Sequence, residues 1–255
     1  MKRIIYNLIF MMAFGTIGLL SCGKYDNYDE PNERLTGKII DKETGLGIQT
    51  QIGGDGIRIK LLEYSWSDTP TPYYFNCMQD GTFNNTKIFK GNYNIEPLGA
   101  FVPLLLKDAQ GNVLVDKTKT ADIVGTVDLT FEVEPFLRIE WVGEPEENSD
   151  GSYSVSVKVT RGTRNPDFQK NVTDVYLFVS NNAYVGNNNF IANYSTRITY
   201  SGSAGEEIIG DTLTITTEPL PKDRIMYLRV GARTDINIDG TQRYNYSTIK
   251  SVDLR

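Results

Sequence analysis

Residues 80–93 read Asp80-Gly81-Thr82-Phe83-Asn84-Asn85-Thr86-Lys87-Ile88-Phe89-Lys90-Gly91-Asn92-Tyr93. Asp-Gly ahead of a β-branched and aromatic run is a strong hairpin signal. Gly81 permits turn geometry, and Phe83, Ile88, Phe89 and Tyr93 can fill a core. Strand, turn and strand follow one another here with no helical period, and the same rhythm extends in both directions.

Towards the N-terminus, Gly37–Asp41 predicts a short strand, closed by the turn cluster Asp41-Lys42-Glu43-Thr44-Gly45. Ile57, Ile59 and Leu61 alternate with Arg58 and Lys60, and Tyr73–Met78 continues the series. Towards the C-terminus, strands are expected over Thr82–Phe89, Asn92–Pro97, Phe101–Leu106 and Val127–Val133, with a turn at residues 108–112. A second unit begins near Glu134-Pro135. Leu137, Ile139 and Trp141 share one parity, which marks Trp141 as a core residue, and Tyr153, Val155, Val157 and Val159 alternate cleanly with polar residues. Val172–Ser180, Arg197–Ser201, Asp211–Thr217, Ile225–Thr234 and Tyr244–Leu254 complete it, and residues 181–196 form a long Asn-rich connection. The expected fold is all-β: two antiparallel β-sandwich domains in tandem, at residues 37–133 and 134–255.

The start of the chain has a different character. Lys2 and Arg3 precede a mostly apolar run from Ile4 to Leu20, which is secretory signal architecture. The run ends in Leu19-Leu20-Ser21-Cys22, which resembles the bacterial lipobox, whose cysteine thiol receives a lipid. Residues 1–21 are then a signal peptide, and Cys22 becomes the attachment point to a membrane. Cleavage removes Lys2 and Arg3 and moves the net charge from −6 to −8. Gly23 after the cysteine resembles outer-membrane sorting. The acidic residues Asp26, Asp29 and Glu30 look like a surface-export signal, or equally a solvated tether. Residues 22–36 read as that tether, with a reach on the order of 50 Å when extended.

Composition excludes several classes of chemistry. Among the 255 residues there is no histidine, which removes Ser-His-Asp and Cys-His catalysis and every imidazole metal site. The acidic balance argues against nucleic acid, which needs a basic footprint. Once Cys22 carries lipid, Cys77 has no disulfide partner, and its parity with Tyr73 and Phe75 makes it a small buried hydrophobe. A glycosidase needs two carboxylates across a cleft, and no pair stands out. The expectation is a protein without enzymatic activity and without a cofactor.

The series Gly37-Lys38-Ile39-Ile40-Asp41, Thr44-Gly45, Asp80-Gly81-Thr82-Phe83 and Phe89-Lys90-Gly91-Asn92-Tyr93 resembles the carboxypeptidase-regulatory-like, prealbumin-type sandwich. The second unit resembles a fibronectin-III or immunoglobulin-like sandwich, with Leu228, Val230 and Ala232 in its penultimate strand. Residues 80–93, the lipobox and Leu228–Thr234 together resemble domain-of-unknown-function family 3823, two-domain lipoproteins of glycan-foraging gut bacteria. That resemblance implies an outer-membrane, surface-displayed lipoprotein. Its partners would be a polysaccharide or oligosaccharide and a starch-utilisation-type porin and glycan-capture complex. A structural spacer or assembly subunit in the cell envelope is the other reading. No catalytic residue comes with the resemblance.

Three candidate sites emerge from the residues. Tyr64 and Trp66 fall on the parity opposite the core and lead into the polar loop holding Asp68. An indole there can stack on a sugar ring, or it can pack against its own loop. In the second unit Tyr176, Phe178, Tyr227 and Arg229 share an outer face, an aromatic stripe with a cation that marks either an interface or a surface shielded by residues 181–196. Asp235-Ile236-Asn237-Ile238-Asp239-Gly240 matches the opening of a calcium loop. Tyr246 stands at its twelfth position where a glutamate belongs, so a polar hairpin tip is the competing reading.

Overall fold

The computed structural model describes residues 29–255. Cys22, the expected signal peptide at 1–21 and most of the expected tether lie outside them. Residues 31–255 form one compact unit built around two main hydrophobic clusters.

The first cluster is enclosed by two sheets. Their strands are β1 (Glu33–Asp41), β2 (Arg58–Glu63), β3 (Tyr73–Asn76), β4 (Thr82–Ile88), β5 (Gly91–Leu98), β6 (Leu105–Lys107), β7 (Val113–Asp116), β8 (Lys119–Ile123) and β9 (Thr126–Val133). One sheet runs β4-β1-β9 and the other β3-β2-β5-β8, while β6 and β7 form a separate ribbon. Alternation drives the packing: Leu35 and Ile39 from β1, Ile59 and Leu61 from β2, and Phe83, Ile95 and Phe131 are almost wholly inaccessible to solvent.

Several expectations change here. β1 begins at Glu33, because Leu35 is a core residue and the strand pairs with β4 over Glu33–Lys38 and with β9 over Arg34–Asp41, so the expected tether loses residues 33–36 to the sheet. The β1–β9 pair is parallel, while the other strand pairs among the described residues are antiparallel. Asp80-Gly81 makes a tight turn, with Met78 N–H bonded to Thr82 O at 2.8 Å, but not a hairpin. β3 pairs with β2 and β4 with β1, so the turn carries the chain from one sheet to the other. Local sequence sets a turn; it does not choose which strands pair. Phe89 is exposed, whereas Phe83, Ile88 and Tyr93 are buried.

The second cluster is enclosed by β10 (Leu137–Trp141), β11 (Glu146–Glu147), β12 (Tyr153–Arg161), β13 (Val172–Ser180), β14 (Thr196–Thr199), β15 (Thr212–Thr216), β16 (Ile225–Thr234), β17 (Asn237–Ile238), β18 (Thr241–Gln242), β19 (Asn245–Tyr246) and β20 (Lys250–Asp253). In one sheet β12 is central, flanked by β10, β11 and β15. The other runs β14-β13-β16, with β19 and β20 both pairing with β16. Helix is confined to a single turn at Ala204–Glu207 and two short 3₁₀ turns among the described residues. The chain crosses between the clusters at residues 133–136: Val133 packs in the first and Phe136 in the second. Phe136 N–H bonds to Ala100 O at 3.1 Å and Val102 N–H to Glu134 O at 2.9 Å, so the crossing is braced by the strand-like segment 100–102.

Candidate functional site

Tyr64 and Trp66 leave the end of β2 on the loop that leads to β3. Trp66 is 69% exposed and Tyr64 44%. The loop is anchored, not loose. Tyr64 N–H bonds to Asn92 O at 2.9 Å, Asn92 N–H to Ser65 Oγ at 2.8 Å, and Thr69 N–H to Ser67 Oγ at 3.1 Å. These bonds tie it to the Phe89–Asn92 turn, so exposed Phe89 lies at the same end of the sandwich. Asp68 is exposed on the loop, and Asn92 Nδ2 bonds to Asp122 Oδ1 at 2.7 Å. Glu63 Oε1 is buried without a hydrogen-bond partner, beside the Tyr93 ring and next to Gly91. The phenol of Tyr93 is held un-ionised, with its pKa raised by burial and by the Glu63 charge. The end of the sandwich thus offers aromatic faces flanked by carboxylates and amides, the surface chemistry that recognises polyhydroxylated rings.

The aromatic stripe has a different fate. β13 and β16 are neighbours, and Phe178 sits opposite Arg229 in their register, so the four residues do share one face. That face is closed. Phe178 and Arg229 have no exposed surface, and Tyr176 and Tyr227 are half-buried. Val185 and Phe190 from the 181–196 connection, and Tyr244 and Tyr246 from around β19, complete a third hydrophobic cluster over them. Phe178 and Arg229 are therefore corrected from ligand-binding candidates to buried structural residues, and the stripe is no open patch.

Arg229 pins the two halves together. Its Nη1 donates to Thr50 O at 2.8 Å and Val185 O at 3.3 Å, its Nη2 to Gln49 Oε1 at 3.3 Å and Gln79 O at 3.5 Å, and its Nε to Ser247 O at 3.0 Å. The guanidinium lies 4.6 Å from the Tyr246 ring centroid. Burial pulls its pKa down to about 10, still well above neutrality, so it is a buried cation neutralised by carbonyl dipoles and a ring face. On the same face, Asp174 accepts from Tyr244 Oη, from Arg197 at 3.0 Å and from Arg233 at 2.8 Å.

Residues 235–242 form a hairpin. Asn237 and Ile238 pair with Gln242 and Thr241, and Asp239 and Gly240 take φ values of 51° and 78°, the two positive-φ positions of a tight primed turn. Asp239 lies 3.8 Å from Arg58, and no cluster of three or more carboxylate or thiol ligands occurs among the described residues. The calcium reading of Asp235, Asn237 and Asp239 is corrected to a hairpin tip: paired strands hold these side chains apart where a calcium loop would wrap them around one point. Cys77 is fully buried, and burial raises its thiol pKa, which suits packing and not nucleophilic chemistry.

One feature was not legible in sequence. A cleft of about 400 Å³ lies where the two halves meet, lined on one side by Leu46–Gln49 and on the other by β10, Asn245, Tyr246 and Thr248. Trp141, expected in the core, is half-buried and lines it. Its indole N–H bonds to Thr248 O at 2.9 Å, and the Lys250 ammonium lies 5.4 Å from the ring centroid. Arg138 closes one end, bonded to Asp41 at 2.5 and 2.9 Å and to Glu43 at 2.9 Å.

Two β-rich halves locked by a buried arginine, with an aromatic rim at one end, define a class of tandem β-sandwich protein. Comparison with known proteins makes the assignment specific. The profile of the N-terminal domain of the protein family of unknown function DUF3823 matches residues 33–133. A DUF3823 family protein from Bacteroides uniformis is 37% identical over 88% of this chain and 100% of its own, with a TM-score of 0.83. The chain belongs to the DUF3823 family. Two more distant structures share the fold at the same coverage, 88% of this chain and 100% of theirs. One is a candidate carbohydrate binding protein from Bacteroides uniformis at 20% identity and a TM-score of 0.66. The other is a DUF3823 family protein from Parabacteroides merdae at 17% and 0.63. No curated protein matches the chain.

Proposed function

We propose that this protein is a lipid-anchored outer-membrane protein, displayed at the cell surface, that binds glycan without enzymatic activity as an accessory of a starch-utilisation-type uptake system. The observation that carries this reading is the 69% exposure of Trp66, on an anchored loop beside exposed Tyr64 and Asp68. The carbohydrate binding attributed to a fold relative from Bacteroides uniformis supports it. Lipid on Cys22 supplies the anchor, and the acidic residues behind it hold the sandwich off the membrane.

The magnitude of the contact fits an accessory. Stacking one sugar ring on an indole removes on the order of 100 Å² of apolar surface from water and contributes about 2.5 kcal/mol. That alone corresponds to weak binding, so retention depends on a polymer meeting many copies at the surface.

In a panel of affinity gels cast with different polysaccharides, the protein is expected to be retarded by at least one glycan. Trp66→Ala is expected to abolish the retardation, a loss on the order of fifty-fold. Radiolabelled fatty acid is expected to enter the wild type and not Cys22→Ser. The spacer reading is favoured by the locked junction around Arg229; co-purification with an outer-membrane porin, with no retardation in any gel, decides for it.

A further inference from the structure

The chain enters the first sandwich at the end that carries the aromatic rim. Glu33, the first residue of β1, pairs with Ile88 at the end of β4, and its carboxylate accepts from Gly125 N–H. Arg34 N–H bonds to Gly125 O at 2.8 Å. The entry therefore lies between the Phe89–Lys90 and Val124–Gly125 turns, where Phe89 and Val124 are both exposed. Contacts run on from there to the Trp66 loop. Tyr93 Oη donates to Phe89 O at 3.0 Å, Tyr93 pairs with Glu63, and Tyr64 N–H bonds to Asn92 O at 2.9 Å. β1 leads away from this end, over roughly 25 Å, to Asp41, which Arg138 of the second half holds. The second half is thus at the far end of β1 from the entry.

Chain length limits how far this end can stand from an anchor on Cys22. Between Cys22 and Glu33 the backbone extends at most about 40 Å, and a flexible coil of that length spans on the order of 20 Å. Affinity then narrows the ligand. One sugar ring stacked on an indole corresponds to a dissociation constant on the order of 10 mM. Dilute sugar in solution leaves such a site empty, whereas a short tether presents surface-borne ligand at an effective concentration in the millimolar range. Charge narrows it again. Glu33, Glu63, Asp68 and Asp122 face Arg34, Lys87 and Lys90 at this end, and Asp29 and Glu30 precede them. That balance offers no basic face to an anionic phospholipid headgroup, so a neutral saccharide is the surface chemistry that fits.

We propose that the Trp66 rim faces the membrane that holds the anchor and binds the neutral saccharide headgroup of a glycolipid in it. The proposal rests on the reading above, both the lipid on Cys22 and the sugar at Trp66, and names the source of that sugar. The tether sets the gap, and the rim works across it.

The test places the full lipidated chain, as Trp141→Phe, in phosphatidylcholine vesicles that contain glucosyl, galactosyl or mannosyl diacylglycerol, or no glycolipid. Trp66 emission is expected to change with at least one glycolipid and not in sugar-free vesicles. About 100 mM of the matching methyl glycoside is expected to reverse the change. Inserting about twenty Gly/Ser residues between Glu30 and Pro31, which roughly triples the tether without touching the fold, is expected to lower the apparent affinity about fivefold. No change with any of the three glycolipids, an equal change in sugar-free vesicles, no reversal by the glycoside, or an affinity that ignores tether length would each overturn the proposal. The affinity gels keep the two levels apart. Retardation by a polysaccharide with no glycolipid response sinks this proposal alone, whereas no retardation in any gel and no glycolipid response sinks the sugar reading beneath it.

Discussion

A buried guanidinium without a carboxylate beside it is costly unless every N–H finds an acceptor, and Arg229 finds them on both halves of the molecule. Removing it leaves the carbonyls of Thr50, Gln79, Val185 and Ser247 without that donor. Arg229→Met, which keeps the apolar stem, is expected to destabilise the protein by about 3 kcal/mol, measured by urea unfolding. Sequence parity placed Arg229, Phe178, Tyr176 and Tyr227 on the correct face of β13 and β16. It could not reveal the cover, because periodicity reports which way a side chain points and nothing about what lies beyond it. Arg229 stands between buried Leu228 and Val230, and Tyr244 and Tyr246 share one parity on the same sheet; together these were the available hint of a closed face. Trp66 was legible for the converse reason: at a strand end, outward parity and a polar loop agree.

At the level of elements, the long alternating strands were fully readable: β13 and β16 run over the residues that alternation predicts. Strands held by pairing alone were not. β8, Lys119-Thr-Ala-Asp-Ile, is too polar to announce itself and owes its conformation to β5. The first four residues of β1 looked like tether because they are mostly polar, yet Leu35 and the flanking strands fix them. The turn glycine Gly81 is required twice over. Its φ is +81°, and a Cβ there would lie 2.7 Å from Ile48 O and 2.9 Å from Ile39 O. Gly81→Ala is expected to cost about 2 kcal/mol or more, read as a lowered urea midpoint with an unchanged m-value.

At the scale of the whole molecule, the buried carboxylates Asp41 and Asp174 couple packing to pH. Burial pushes the Asp174 carboxyl up, but hydrogen bonds from Tyr244, Arg197 and Arg233 outweigh it and hold its pKa below the ordinary 3.8. Asp41 behaves alike: burial is outweighed by Arg138 and by backbone donors, and its pKa also falls below 3.8. A depressed native pKa means that the unfolded chain binds protons first as pH falls. The stability these groups supply is therefore complete above the ordinary carboxylate range and is lost as pH drops through 3.8 towards their native values. Denaturant unfolding from pH 7 to pH 3 is expected to show that loss. Asp174→Asn is expected to be less stable at neutral pH and to have a flatter profile, since the most buried of the carboxylates with a lowered pKa then no longer titrates.

In the proposed function, sugar meets this protein at Trp66. The chain has only two tryptophans, Trp66 and Trp141, so fluorescence can separate them. With Trp141→Phe, titration with the glycan that retards the protein most is expected to give a saturable change in emission from Trp66. With Trp66→Phe, where only Trp141 emits, the same titration is expected to give none. A glycan response that follows Trp141, or that survives unaltered in Trp66→Phe, would contradict the account.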